Sequence, residues 1–283
     1  MTTPRSLTNR NYVTALLIGV VFAAAVAALG TMLAVTLGQH SAAVRWVAKA
    51  FCDLNLVADA GGRLHVSWCF SAGSTNLFPL SIQAITYVAF GMACMLLYMR
   101  RRIYQRESDV IQAGLLPQDE RTLIQPADIA NVREKLAPHK SALVTTLIER
   151  ALQQYQTTLS TAVAAAIVSS TTEVFQEELD SNYAVIKYLA WAIPSLGFVG
   201  TVLGIGRALT GFGDGSGDLP MQFITSNLST AFDTTFVALL LSLFLMLVIG
   251  ICQAREEAVI TRAHDYCLAN LVNRLFNPEH LTR

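Results

Sequence analysis

Charged side chains are absent from two long stretches of the chain and nearly absent from two more, and these four stretches set its predicted elements. Tyr12 to Gly38 reads YVTALLIGVVFAAAVAALGTMLAVTLG and Leu77 to Met99 reads LFPLSIQAITYVAFGMACMLLYM, neither with a charge. Ala184 to Leu209 holds only Lys187 and Arg207, and Met221 to Cys252 holds only Asp233. Crossing a hydrocarbon core takes about 20 residues of helix, and each stretch exceeds that. Four membrane-spanning helices are therefore predicted, at 12–38, 77–99, 184–209 and 221–252. The first run is nearly twice as long as the apolar core of a cleavable signal, which fits an anchor that is retained.

The polar segments complete the layout: a tail 1–11, loops 39–76 and 210–220, a large middle segment 100–183 and a C-terminal segment 253–283. From His139 to Ile193 neither Gly nor Pro occurs in 55 residues. An unbroken helix of that length would reach about 80 Å, far more than a bilayer needs. Helix three is therefore expected to begin well before residue 184. Helix two is expected to run past Arg102 towards Gly114, and helix four past Cys252 towards Pro278. The predicted fold class is all-α: a polytopic membrane protein whose helices two to four extend into a cytoplasmic helical bundle.

Composition agrees. Charged residues make up 14% of the chain, mean hydropathy is +0.45, and 20 Lys and Arg balance 20 Asp and Glu. A soluble domain carries roughly twice that charged fraction, and a balanced chain lacks the overall basic character of a nucleic-acid binder. Nine Lys or Arg fall in 100–183 and none in 210–220. By the positive-inside rule both termini and the middle segment are cytoplasmic, with 39–76 and 210–220 outside. Cys52 and Cys69 share the outer loop, where an oxidising compartment permits a bond, and are the candidate disulfide. The five histidines show no metal-ligand spacing, and no nucleophile elbow or phosphate loop is present. The GDGSG run at Gly213 to Gly217 follows no predicted strand and reads as a turn. No enzyme chemistry, cofactor or metal site is expected.

Candidate chemistry concentrates in the last two membrane helices. Gly197, Thr201, Gly204 and Ala208 are spaced four, three and four, on one helical face, and small residues there let helices approach closely. Ala231, Thr235, Ala238 and Ser242 repeat that spacing in helix four. Thr201 and Thr235 lie roughly 12 and 16 Å below the outer surface at 1.5 Å per residue, so they can line one pathway together with Thr234. The alternative is that the hydroxyls bond their own helix carbonyls. Asp233 and Arg207 point away from these threonines, by 200° and 240° of helical turn, and form a candidate intramembrane ion pair within or between subunits, the alternative being that Asp233 itself carries the proton.

At these residues a family resemblance emerges. The string Gly197, Phe198, Val199, Gly200, Thr201, Val202, Leu203, Gly204, Ile205 resembles the GLxGTVxGI signature of the MotA/TolQ/ExbB proton-channel family. Ala231, Phe232, Asp233, Thr234, Thr235, followed by an apolar helix, resembles the family's second signature. The four-helix order with a large segment between helices two and three resembles the flagellar MotA arrangement. The resemblance implies a homo-pentamer in the bacterial inner membrane around two copies of a single-pass MotB, TolR or ExbD-like partner. The partner's membrane Asp would carry H+ or Na+, and ion flow would do mechanical work at the cell envelope. It implies that Thr201 and Thr235 are pore threonines and that Pro194 bends helix three. The chain departs from transport-type relatives at Thr230, where they often have Glu, and carries its acid at Asp233 instead. A non-conducting scaffold or sensor that binds a ligand through the loop 39–76 is the competing reading.

Overall fold

The computed structural model describes residues 9–37, 55–58, 64–67, 76–77, 80–114, 116, 129–139, 142–210 and 221–276. Helices dominate: α1 (Asn9–Leu37), α2 (Ile82–Gln112), α3 (Ile129–Leu136), α4 (Leu143–Thr158), α5 (Thr161–Thr210) and α6 (Met221–Asn270). Two short antiparallel ribbons are also present, one in the loop 39–76 and one running from its end into the stretch 77–99 read as a helix. Strand β1 (Asn55–Ala58) pairs with β2 (Leu64–Ser67), Asn55 opposite Ser67, and β3 (Asn76–Leu77) pairs with β4 (Leu80–Ser81). Strands of two to four residues are too short to leave an alternation in the sequence. The second ribbon also explains why α2 starts at Ile82, five residues into the apolar stretch.

α2, α5 and α6 are each long and apolar enough to cross a membrane, whereas the described apolar part of α1, Arg10–Val26, is shorter. The 50 residues of α5 and of α6 are more than twice a bilayer's thickness, as expected from the Gly- and Pro-free run. That run is nonetheless broken. Leu159 adopts a left-handed conformation (φ 53°) and ends α4, donating its N–H to Tyr155 O at 2.8 Å. A left-handed turn at a residue with a Cβ costs about 1–2 kcal/mol, so neither Gly nor Pro marks the break. By contrast α2 ends where expected, at Gly114 (φ 66°), the residue type that takes this turn without strain. Leu159 is 46% exposed, so Leu159→Gly gives up little packing. It should raise the thermal midpoint by a few degrees, a net gain of about 0.5–1 kcal/mol after the extra chain entropy. An unchanged or lower midpoint in a detergent melt refutes this.

The chain forms two compact units. One comprises Thr8–Leu97 and Ile186–Ile249, the other Met1–Leu7, Tyr98–Val185 and Gly250–Arg283. In the first, α1 crosses α2 at paired glycines: a Cβ at Gly91 would lie 2.9 Å from Gly19 Cα, and one at Gly19 would lie 2.5 Å from Val88 O. Phe22 and Phe90 pack beside that crossing, ring centres 5.8 Å apart, and Phe90 reaches Phe244 of α6 at 6.5 Å.

The second unit has a core of Leu147, Ile148, Leu152 and Tyr155 from α4, Leu179 and Tyr183 from α5, and Ala263 and Cys267 from α6, all buried. Burial pushes the Cys267 thiol up to about 12, which keeps it unreactive. Long-range polar contacts finish the packing. Glu107 of α2 accepts the Leu143 N–H at 2.6 Å and so caps α4, a service its own Ala142 cannot perform. The Tyr266 hydroxyl accepts the Leu116 N–H at 2.9 Å. Arg100 of α2 pairs with Glu256 of α6, with the guanidinium 5.7 Å from the ring centre of buried Tyr183.

Candidate functional site

α5 and α6 meet along the two small-residue faces. A Cβ placed on Gly197 would fall 2.6 Å from Ala238 Cβ and 3.2 Å from Thr235 Cα, and one on Gly204 would fall 2.5 Å from Ala231 Cβ. Side chains do not tolerate such approaches, so the helix separation itself depends on these glycines. Ala231 and Ala238 are buried in this contact, and Ala208 is buried as well. Gly200 belongs to it as well: its Cβ would lie 2.7 Å from Thr234 Oγ1. The spacing rule that selected Gly197 and Gly204 passed over Gly200, although it sits three residues after the first and four before the second.

Thr235 is the polar centre of this contact. Its hydroxyl lies 2.8 Å from Gly197 O across the helix boundary, 3.3 Å from Ala231 O of its own helix and 3.4 Å from Thr201 Oγ1. A hydroxyl has one proton, and the shortest of these contacts takes it to α5. Thr201 donates to Phe198 O at 2.7 Å, which leaves its lone pairs turned to Thr235. The two alternatives from sequence thus divide: Thr201 bonds its own helix, while Thr235 bridges to the other. Thr234, grouped with them from sequence, is buried, donates to Ala231 O at 2.9 Å and faces Gly200. Its hydroxyl is part of the helix packing.

Pro194 sits inside α5, and the helix continues through it. Proline has no N–H to give the carbonyl four residues earlier. That carbonyl belongs to Ala190, and Ser242 Oγ of α6 donates to it at 3.0 Å. Ser242, expected only to pack, therefore restores the hydrogen bond that Pro194 removes. Asp233 takes the Ser229 hydroxyl at 3.5 Å, one turn earlier on α6. Among the described residues no ion pair joins Asp233 to Arg207 within the chain, so the intrachain form of that pair is not present.

The threonines occupy matching edges of two apolar stripes. Phe198, Val202, Ile205 and Leu209 of α5 are exposed, as are Phe232, Phe236, Leu239 and Leu243 of α6. Both sets follow four, three and four spacings, and Thr201 and Thr235 each lie three residues after the first member. Both are half-buried, open to a neighbour on that side. The site offers hydroxyl and carbonyl oxygens and no group that titrates near neutrality. Cys52 and Cys69 lie outside the described residues.

No curated protein and no solved structure matches this chain. A family model described as the MotA/TolQ/ExbB proton channel family matches residues 139–265, a little under half of the chain. The matched segment contains α4, α5 and most of α6, and with them every residue of the threonine contact. Among the described residues three helices are long and apolar enough to span a membrane, as befits a membrane protein, and the matched family is a channel family, not an enzyme family. Over residues 139–265 the chain is similar to the MotA/TolQ/ExbB proton channel family.

Proposed function

We propose that the chain is the ion-conducting, stator-type subunit of an inner-membrane rotary motor. Five copies surround two copies of a single-pass partner of the MotB/TolR/ExbD type, with which this family works. Ion motive force is converted there into mechanical work at the cell envelope. H+ or Na+ is the transported species, not a resident cofactor. Four spans cross the inner membrane with both termini cytoplasmic; the fourth span is α1, whose charge-free run 12–38 is long enough by sequence.

One observation carries this reading: the Thr235 hydroxyl of α6 donates to Gly197 O of α5 and lies 3.4 Å from Thr201 Oγ1, at the edge of exposed apolar stripes. Oxygens so arranged pass an ion by transient coordination. None of them titrates near neutrality, so the carrier is a carboxyl on the partner's helix. The stripes are the surfaces that neighbours and partner cover. Asp233, an acid within the span, pairs with Arg207 of an adjacent subunit on the side away from the threonines.

The test is proton or sodium flux into liposomes holding the chain with its single-pass partner. Thr235→Val keeps size and removes the oxygen. Flux should fall about ten-fold, the equivalent of ~1.4 kcal/mol on the barrier, with Thr201→Val behaving alike and the assembled mass unchanged. Wild-type flux in a fully assembled Thr235→Val complex would overturn the reading, as would full flux from the chain without a partner.

A further inference from the structure

The run Arg100, Arg101, Arg102 begins where the apolar stretch of α2 ends, at Met99, and Arg106 follows one turn later. The three consecutive arginines do not share a role. Arg100 is buried against Glu256 and Tyr183. Arg101, Arg102 and Arg106 are exposed and line an open groove with Tyr98, Gln105 and Asp109. Asp109 is the groove's one acid, at its far end. None of these three guanidiniums is joined to a carboxylate among the described residues.

The groove is also preorganised. Arg102 donates through Nε to the Tyr98 hydroxyl at 2.9 Å, and its guanidinium carbon lies 5.1 Å from the Tyr98 ring centre. Holding a long side chain in place before a ligand arrives removes part of the entropy cost of binding. Dimensions agree with a membrane surface. Arg101 to Arg106 covers about 7 Å of helix axis, and the headgroup layer on each side of a bilayer is about that thick. The fork of a guanidinium matches two oxygens of a phosphate, and Tyr is a residue of the interfacial belt.

We propose that Tyr98, Arg101, Arg102 and Arg106 form a binding site for the phosphate group of an anionic phospholipid at the inner surface of the membrane. The phosphodiester lies across the exposed guanidiniums. Lipid charge then fixes the depth of α2 in the bilayer. Zwitterionic lipids, whose own cation competes for the phosphate, bind more weakly.

The purified full-length chain, delipidated in neutral detergent, is titrated with phosphatidylglycerol and followed by native mass spectrometry. Juxtamembrane arginines contribute about 1 kcal/mol each towards anionic lipid. Each single substitution, Arg101→Gln, Arg102→Gln or Arg106→Gln, should weaken the tightest phosphatidylglycerol binding about five-fold, and the triple variant about a hundred-fold. The same loss of charge at exposed Arg133, Arg150 and Arg262 should change it less than two-fold. Phosphatidylcholine should bind at least ten-fold more weakly than phosphatidylglycerol. Equal loss in both triple variants would mean general charge attraction and would overturn the site. So would wild-type binding by the Arg101, Arg102, Arg106 variant. Inorganic phosphate that competes at the lipid's own affinity would make this a free-anion site and overturn the lipid assignment.

Discussion

Arg100→Ala will destabilise the unit built from Tyr98–Val185 and Gly250–Arg283 by about 3–5 kcal/mol, the range for removing one partner of a buried ion pair. Arg100 is 3% exposed and Glu256 12%, so the stranded carboxylate has almost no water to turn to. Burial already raises the Glu256 pKa above the ordinary carboxylate value, and the Arg100 charge is the main force holding it down. Removing Arg100 lets it rise further. A carboxyl whose folded pKa lies above its unfolded one is favoured folded below the unfolded value, and that advantage is lost as pH rises through the folded pKa. The variant's deficit should therefore shrink as pH is lowered from neutrality towards 5, while the wild type changes less. Replacing both partners by apolar residues of similar volume, Arg100→Met with Glu256→Leu, should recover most of the loss. Chemical unfolding followed by helical circular dichroism in detergent measures all three. A single variant as stable as the double would show that the pair is solvated and carries no such cost.

This pair also marks where sequence reading stops. The dominance of helix, and three helices of spanning length and apolarity among the described residues, were legible because they depend on period and composition. The mutual fit of Gly197 with Ala238 and Gly204 with Ala231 followed from equal spacing on both helices. What escaped depended on partners far away in the chain. Three consecutive arginines look alike in a sequence, yet 100° of helical phase turns Arg100 onto a carboxylate 156 residues later and leaves Arg101 and Arg102 outside. Glu107 as the cap of α4, and Ser242 as donor to the carbonyl freed by Pro194, are likewise invisible until tertiary packing brings them there. The break at Leu159 ran against its own signal, because a strained leucine replaces the expected glycine. Thr234 and Thr235, adjacent in the chain, were separated only by which of them faces Gly200.

Gly204→Ala should cost about 2 kcal/mol, within the ~1–3 kcal/mol typical of overpacking, although alanine is the better helix former by about 1 kcal/mol. The added Cβ meets Ala231 Cβ at 2.5 Å, and neither atom can rotate away. The collision has a specific remedy. With Ala231→Gly the nearest remaining atoms are the Cα of residue 231 at 3.2 Å and Asn227 O at 3.3 Å, a fit that needs only a few tenths of an ångström. The double variant should regain most of the lost stability, and Gly197→Ala should be rescued in the same way by Ala238→Gly. Gly206→Ala and Gly250→Ala supply the contrast, since nothing lies within 4 Å of either added atom; both should be neutral or slightly stabilising. If Gly204→Ala costs no more than Gly206→Ala, the close crossing of α5 and α6 is not real. Function should follow the same geometry. Thr235 reaches Gly197 O at 2.8 Å only because the helices touch at Gly197 and Gly204. Pushing them apart therefore lengthens the bond that aligns the hydroxyls, so Gly204→Ala should lose stability and flux together and regain both with Ala231→Gly. Thr235→Val should lose flux with the assembly intact.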